Sequence, residues 1–200
     1  MFADINRVVF DSFAKKLKQG MRKLQMEELN RLSVEDFKET NKNNFCIILD
    51  DIRSMNNVGS AFRTSDAFLV EKIYLCGITA IPPHREIEKT ALGSTESVAW
   101  EHRENAIDLV KELQANGYIV LAVEQVENSL KLNDFQPEPN QKYAFVFGNE
   151  VFGVNQEVAE LANNCLEIPQ FGTKHSLNIS VTVGIICWDF VSKQLSINNY

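Results

Sequence analysis

An α/β fold built on a mainly parallel sheet is the class this sequence predicts, on two observations. From residue 45 onward, short apolar runs of strand length alternate with stretches of helical periodicity. The runs are also nearly continuous in apolar character, FCIILD at 45–50 being the clearest. Strands covered by helices on both faces read this way.

Each element follows from its residues. After the strand at 45–50, a polar turn at 51–57 leads to a helix over 58–68, and a second apolar run at 72–76 closes a β-α-β unit. ITAIPPHRE reads as a loop, and KTALGSTESVAW as a short helix and a strand. Ala106, Leu109, Val110 and Leu113 make a helix face that Gly117 ends. Residues 118–123 form a buried strand, and the polar segment 124–141, with Pro137 and Pro139, reads as a surface excursion. YAFVFG at 143–148 is the next strand, followed by a helix at about 155–162 and a short strand at 165–168. The stretch IPQFGTKHSLNISVTVGIICWDF, 168–190, begins as a loop broken by Pro169 and Gly172. It continues as a helix so apolar that most of its surface must be covered, with Thr182 and Gly184 suited to close helix packing.

Residues 1–44 form a helical N-terminal extension, and residues 45–200 the main domain. Val8, Val9, Phe13 and Leu17 repeat at helical spacing before Gly20, and Leu24, Met26, Leu29, Leu32, Val34 and Phe37 support one or two further short helices. Met21 before Arg22 and Lys23 resembles a start of translation, which leaves residues 1–20 open as an upstream extension of the reading frame.

At 200 residues and 44% hydrophobic content the chain can bury a full core. No run is apolar enough to span a membrane, and Asp4, Asn6, Arg7 and Asp11 interrupt any signal-peptide core, so the expected location is cytoplasmic. Cys46, Cys76, Cys165 and Cys187 lie far apart in apolar runs and read as reduced core thiols, neither a zinc spacing nor a disulfide framework. His84 and His102 have no metal-ligand partners in sequence, and His175 beside Lys174 reads as solvated; no metal is expected. A net charge of −7 argues against indiscriminate nucleic-acid binding. Yet residues 1–44 hold nine of the twenty Lys and Arg against seven acids, with Lys15, Lys16, Lys18, Arg22 and Lys23 the densest group. A local basic face is compatible with that distribution.

Three constellations carry chemistry. In NNVGSAFRTSDAF, Asn57 and Arg63 stand six residues apart across a strand-to-helix junction. Gly59 there admits a close backbone or ligand, and Arg63 in an apolar helix needs an anionic partner if buried. In FVFGNEVFGVN, Gly148, Asn149, Glu150 and Gly153 make a turn at the carboxyl edge of the sheet, where ligands of α/β proteins bind. It lacks the spacing of a dinucleotide loop and the lysine of a phosphate loop. Its carboxylate would repel pyrophosphate, tolerates a cationic or uncharged ligand, and can anchor Arg63. In IPQFGTKHSLNIS, small polar groups crowd the mouth of an apolar helix, either as a Ser cap with Asn bonding nearby backbone or as part of a site.

In this order the three resemble the motifs of the SpoU (TrmH-type) family of RNA ribose 2'-O-methyltransferases, within the SPOUT superfamily. The N-x5-R signature is Asn57 and Arg63. The G-x-E turn is Gly148 and Glu150, and I-P with S-L-N-I-S is Ile168, Pro169, Ser176, Leu177, Asn178, Ile179 and Ser180. The resemblance covers about residues 45–192; Asn149, where many relatives carry a small residue, is a mild departure. It implies a C-terminal trefoil knot, a homodimer, S-adenosyl-L-methionine as cofactor, and tRNA or rRNA as substrate. By position it implies cofactor contacts at Val123, Glu124, Gly148, Ile168 and Leu177, and a catalytic, RNA-facing set of Asn57, Arg63, Glu150, Ser176 and Asn178. A guanidinium gives up its proton reluctantly, so Arg63 reads as an electrostatic clamp oriented by Glu150 rather than as the base. Two rival classes are a knotted RNA-binding module without catalysis and a related enzyme that methylates a base.

Overall fold

The computed structural model describes residues 22–197. The expected helix of Val8, Val9, Phe13 and Leu17 and the lysines at 15, 16 and 18 lie outside the described residues. The chain divides into two compact units, Met1–Ser33 and Val34–Tyr200. Of the first, the described part holds one 3-10 turn, Met26–Leu29. It is tied by Glu28, which accepts from the Arg22 guanidinium and from the Gln25 N–H at 2.7 Å.

The second unit opens with α1, Val34–Glu39, whose Phe37 is buried. A β-α-β unit follows: β1 is Asn43–Asp50, α2 Met55–Ala67 and β2 Val70–Cys76. Next come α3, Arg85–Ala91, α4, Ser94–Ser97, and β3, Trp100–Arg103. Beyond them lie α5, Ala106–Ala115, β4, Tyr118–Val123, and β5, Leu130–Lys131. The last elements are β6, Lys142–Phe147, α6, Gln156–Leu161, β7, Asn164–Glu167, and α7, Ile179–Ile197. The strands form one seven-stranded sheet in the order β3-β2-β1-β6-β4-β7-β5, every pairing parallel.

The continuous apolar runs are explained by cover on both faces. Phe45, Ile47 and Leu49 of β1 pack with Val58, Ala61 and Phe62 of α2 and with Val183, Ile186 and Phe190 of α7. Cys46 and Ile48 point the other way, to Leu109, Val110 and Leu113 of α5 and Val158 of α6. Phe190 fixes α7 to the sheet, its ring 4.7 Å from Phe45, 5.4 Å from Tyr143 and 5.5 Å from Phe145. Burying such a ring stabilises by about 2–3 kcal/mol. All four cysteines are buried and free, and burial pushes Cys76 up to about 12.

Three expectations are corrected. The polar segment 124–141 is not wholly a surface excursion: β5 extends the sheet beside β7, and Leu132 and Phe135 are buried. The last two residues of ITAIPPHRE, Arg85 and Glu86, already belong to a helix, because His84 caps α3 by accepting the Glu86 N–H at 3.2 Å. Gly184 does not serve close packing within the chain, since a Cβ there would meet nothing within 4 Å.

At the end of β1, Asp50 is a largely buried residue, 7% exposed, followed directly by Asp51. Burial first, and neighbouring Asp51 second, raise its carboxyl to about 6 from an ordinary 3.8. A raised folded-state value favours the folded chain below pH 3.8, and that contribution is lost as pH rises through about 6. Asp50→Asn is therefore expected to stabilise by about 1 kcal/mol at pH 8, after allowance for solvent screening, and by little at pH 4. Urea midpoints at the two pH values measure it; equal effects at both would contradict this origin.

Candidate active site

The carboxyl ends of β4, β6 and β7 open into one cavity of about 580 Å³, a size suited to a small-molecule ligand. Its walls come from the loops that follow these strands. Val123, Glu124, Gly148, Ile168 and Leu177 all line it, as do Glu150, Ser176 and Asn178. Sequence positions more than fifty residues apart thus converge because β6 sits between β1 and β4 while β7 lies beyond β4.

The turn after β6 is built by close backbone approach. A Cβ on Gly148 would fall 2.2 Å from the carbonyl carbon and oxygen of Gly153 and from the nitrogen of Val154. Gly153 itself has φ +71°, and a Cβ there would meet the Glu124 carboxylate at 2.2 Å. Glu124 closes the loop by accepting the Val154 N–H at 2.9 Å and the Gln125 N–H at 2.9 Å. Asn149 was set aside in the sequence as a mild departure, yet it organises this turn. Its side-chain oxygen accepts from the N–H groups of Val151 and Phe152, at 2.9 and 3.2 Å, and its side-chain amide nitrogen donates to Asp51 O at 2.7 Å. An Asn followed by such a glycine turn is a recognisable signal for side-chain-to-backbone closure.

Glu150 does not anchor Arg63. Its carboxylate accepts from the N–H groups of Arg53 and Ser54 and from the Asn57 amide, each at 3.0 Å. Burial raises this carboxyl, but the hydrogen bonds from Arg53, Glu150's own N–H, Ser54 and Asn57 outweigh it and hold the value below the ordinary 4.5. Asn57 continues the chain by accepting from the Asn178 amide at 3.2 Å. Asn178 in turn accepts from the N–H of Ser180 at 2.9 Å and from its hydroxyl at 2.6 Å, so Asn178 and not Ser176 caps α7. Asn57 is buried and does not line the cavity; it acts through Glu150 and Asn178.

Arg63 stands apart. At 3.6 residues per turn, six residues carry it roughly 9 Å along the axis and about 120° around from Asn57. It is exposed, does not line the cavity, and forms no hydrogen bond or ion pair among the described residues. Gly59 serves helix packing rather than a ligand, since a Cβ there would meet Ile87 O at 2.1 Å.

The lining fits the expected cofactor. It carries three carboxylates, Glu124, Glu150 and Glu167, and no Lys or Arg, a field that favours a ligand with a sulfonium and an ammonium over a polyphosphate. Val123, Phe147, Leu166, Ile168 and Leu177 supply apolar wall for an adenine ring. Among the described residues no cluster of three metal-ligating side chains occurs, and no helix is long and apolar enough to cross a membrane.

Comparison with known proteins agrees with this geometry. The SpoU rRNA Methylase family matches residues 44–188. A tRNA/rRNA methyltransferase of Borreliella burgdorferi, described as uncharacterized, is 27% identical over 191 residues, covering 92% of this chain and 80% of that protein. The 23S rRNA (guanosine-2'-O-)-methyltransferase RlmB of Pasteurella multocida is 28% identical over 202 residues, covering 96% and 79%. The structure of an AdoMet-bound rRNA methyltransferase from Sinorhizobium meliloti superposes with a TM-score of 0.70 at 25% identity, covering 80% of this chain and 60% of that one. The family match takes in β1 to β7, the cavity loops and half of α7: this chain belongs to the SpoU rRNA methylase family.

Proposed function

We propose that this protein transfers the methyl group of S-adenosylmethionine to a ribose 2'-hydroxyl of tRNA or rRNA. The observation that carries the reading is the chain of bonds from Glu150 through Asn57 to Asn178, set at the mouth of an acid-lined cavity in a chain of this family. When bound, the cofactor supplies an electrophilic methyl on a sulfonium. The chain's task is to place the ribose oxygen in line with that methyl and to orient it. The hydroxyl of Ser176, which lines the cavity and has no hydrogen-bond partner among the described residues, is available to bond the ribose, while Asn178 holds the loop against α7. Glu150, saturated by donors, fixes the loop 51–54 and Asn57 rather than taking a proton. The proton released on O-methylation leaves to solvent at the open mouth. A binding module has no need of this bonded set, and the S-L-N stretch argues against base methylation. Calorimetric titration of S-adenosylmethionine together with transfer of labelled methyl to total RNA tests the proposal; absence of cofactor binding would sink it.

The homodimer and the role of Arg63 belong to the same reading. Val181, Trp188 and Leu195 recur every seven residues on α7 and are 49%, 59% and 55% exposed, an apolar stripe suited to a second copy. Trp188 packs on Phe68 at 6.2 Å, just past α2, the helix that carries Arg63. Arg63 then clamps charge in the partner's site. Arg63→Ala and Glu150→Gln, each nearly inactive alone, are expected to regain about a quarter of wild-type turnover when mixed and allowed to exchange. No recovery, or a 22.7 kDa monomer by light scattering, would contradict the arrangement.

Residues 168–190 are proposed to complete a trefoil knot, supported by family membership and by the Gln125 amide donating to His175 O at 3.3 Å. Of the expected extension, residues 1–44, the part from Val34 on belongs to the second unit; the remainder is proposed to be helical and to grip RNA phosphates through Lys15, Lys16, Lys18 and Lys23, with Arg22 paired to Glu28. Deleting residues 1–24 is expected to raise KM for RNA and flatten its salt dependence with cofactor affinity intact. An unchanged salt slope would remove the extension from the RNA surface.

A further inference from the structure

Two phenylalanines stand at the mouth of the cavity almost uncovered. Phe152 is 86% exposed and Phe171 97%, so neither ring receives the burial that normally stabilises it. Phe152 lines the cavity, and Phe171 follows Gln170, which also lines it. The two rings sit on the two loops that frame the entrance, after β6 and after β7.

The charges around them point to the occupant. Lys174, in the loop of Phe171, has no acidic partner among the described residues. The same holds for the side chain of Arg53, whose N–H holds Glu150 at 3.0 Å. The acids of the entrance are engaged: Glu150 by backbone N–H groups and Asn57, Glu124 by Val154, and Glu167 by Lys131. Exposed rings, with Lys174 in the loop of one and Arg53 bonded through its N–H to the loop of the other, match the two chemistries of a nucleotide, a flat base and a phosphate.

We infer that Phe152 and Phe171 form the platform on which the base of the target nucleotide stacks, with Lys174 and Arg53 holding the flanking phosphates. The inference rests on the RNA reading given above and adds the residues that receive the substrate. Stacking uses the face of a base and not its edge, so the platform sets the ribose geometry without choosing the sequence.

The test uses the full chain and total RNA from cells deleted for the gene. Phe171→Ala is expected to raise KM for RNA about 10-fold, with S-adenosylmethionine affinity within about two-fold by calorimetry. Phe171→Tyr restores KM and Phe171→Leu does not. Phe152→Ala raises KM in the same way, and Lys174→Gln lowers the slope of log affinity against log salt by about 1. A KM for Phe171→Ala within about two-fold of wild type overturns the platform. So does rescue by leucine equal to that by tyrosine, or a mass change in light scattering, which would assign the ring to a contact between copies. Wild-type protein that binds S-adenosylmethionine but transfers no methyl to RNA overturns the RNA reading itself, and this is read before any variant is made.

Discussion

Glu150→Gln is expected to lower methyl transfer by about 10²-fold while the chain stays folded. The carboxylate accepts on both oxygens, from the N–H groups of Arg53 and Ser54 and from the Asn57 amide. A carboxamide replaces one acceptor with a donor, so one of these donors faces another donor at a cost of about 1–3 kcal/mol. The loop 51–54 then shifts, Asn57 loses its orientation, and Asn178 loses its contact with the rest of the set. Displacements of about 1 Å in such a set cost about 10²-fold in rate. The pH dependence has a fixed sign. Because hydrogen bonds hold Glu150 below 4.5, its contribution to stability is complete above that value and is lost as pH falls through the lower folded-state value. Steady-state turnover at pH 7.5 and urea midpoints across the acid range check both parts. Turnover within about two-fold of wild type would show that the bonded chain does not organise the site.

Gly148→Ala is expected to destabilise the protein by about 3 kcal/mol or more, and Gly148→Val by more still. The new Cβ lands 2.2 Å from three backbone atoms of Gly153 and Val154. Backbone cannot swing aside as a side-chain tip can. That backbone is also pinned, by Gly153 N–H to Asn149 O at 2.8 Å and by Val154 N–H to Glu124. Gly172→Ala in the neighbouring loop is the control, since a Cβ there meets nothing within 4 Å. Urea unfolding of the two variants should differ by the full amount; equal midpoints would contradict the packing of the turn. Cofactor affinity falls with Gly148→Ala because the turn that lines the cavity is displaced.

The strand pattern was legible because a sheet covered on both faces needs apolar residues at every position. Runs such as 45–50 and 143–148 therefore stand out without any alternation to detect. Cavity lining was legible at Gly148, Ile168 and Leu177 through motif position. β5 was not, because two residues of strand inside a polar segment carry no periodicity; only the burial of Leu132 and Phe135 shows what holds the segment down. The pairing of Glu150 with the loop 51–54 was also hidden, since its partners are mostly backbone N–H groups, which every residue carries. For Arg63 the sequence shows the spacing from Asn57 but not whether the two side chains meet within one chain. Six residues along a helix separate two side chains rather than join them. Gly59 admits close backbone, one of the two alternatives its sequence position offers, whereas nothing approaches Gly184, because sequence shows a glycine's freedom and not which neighbour fills it.

The most direct test of the central assignment is the chemical position of the transferred methyl group. Total RNA labelled by this protein from methyl-tritiated S-adenosylmethionine is hydrolysed in alkali, where strand cleavage requires attack by a free ribose 2'-hydroxyl. A methylated ribose oxygen cannot attack, so the account predicts label in alkali-stable dinucleotides. Label recovered in mononucleotides would place the methyl on a base and contradict it.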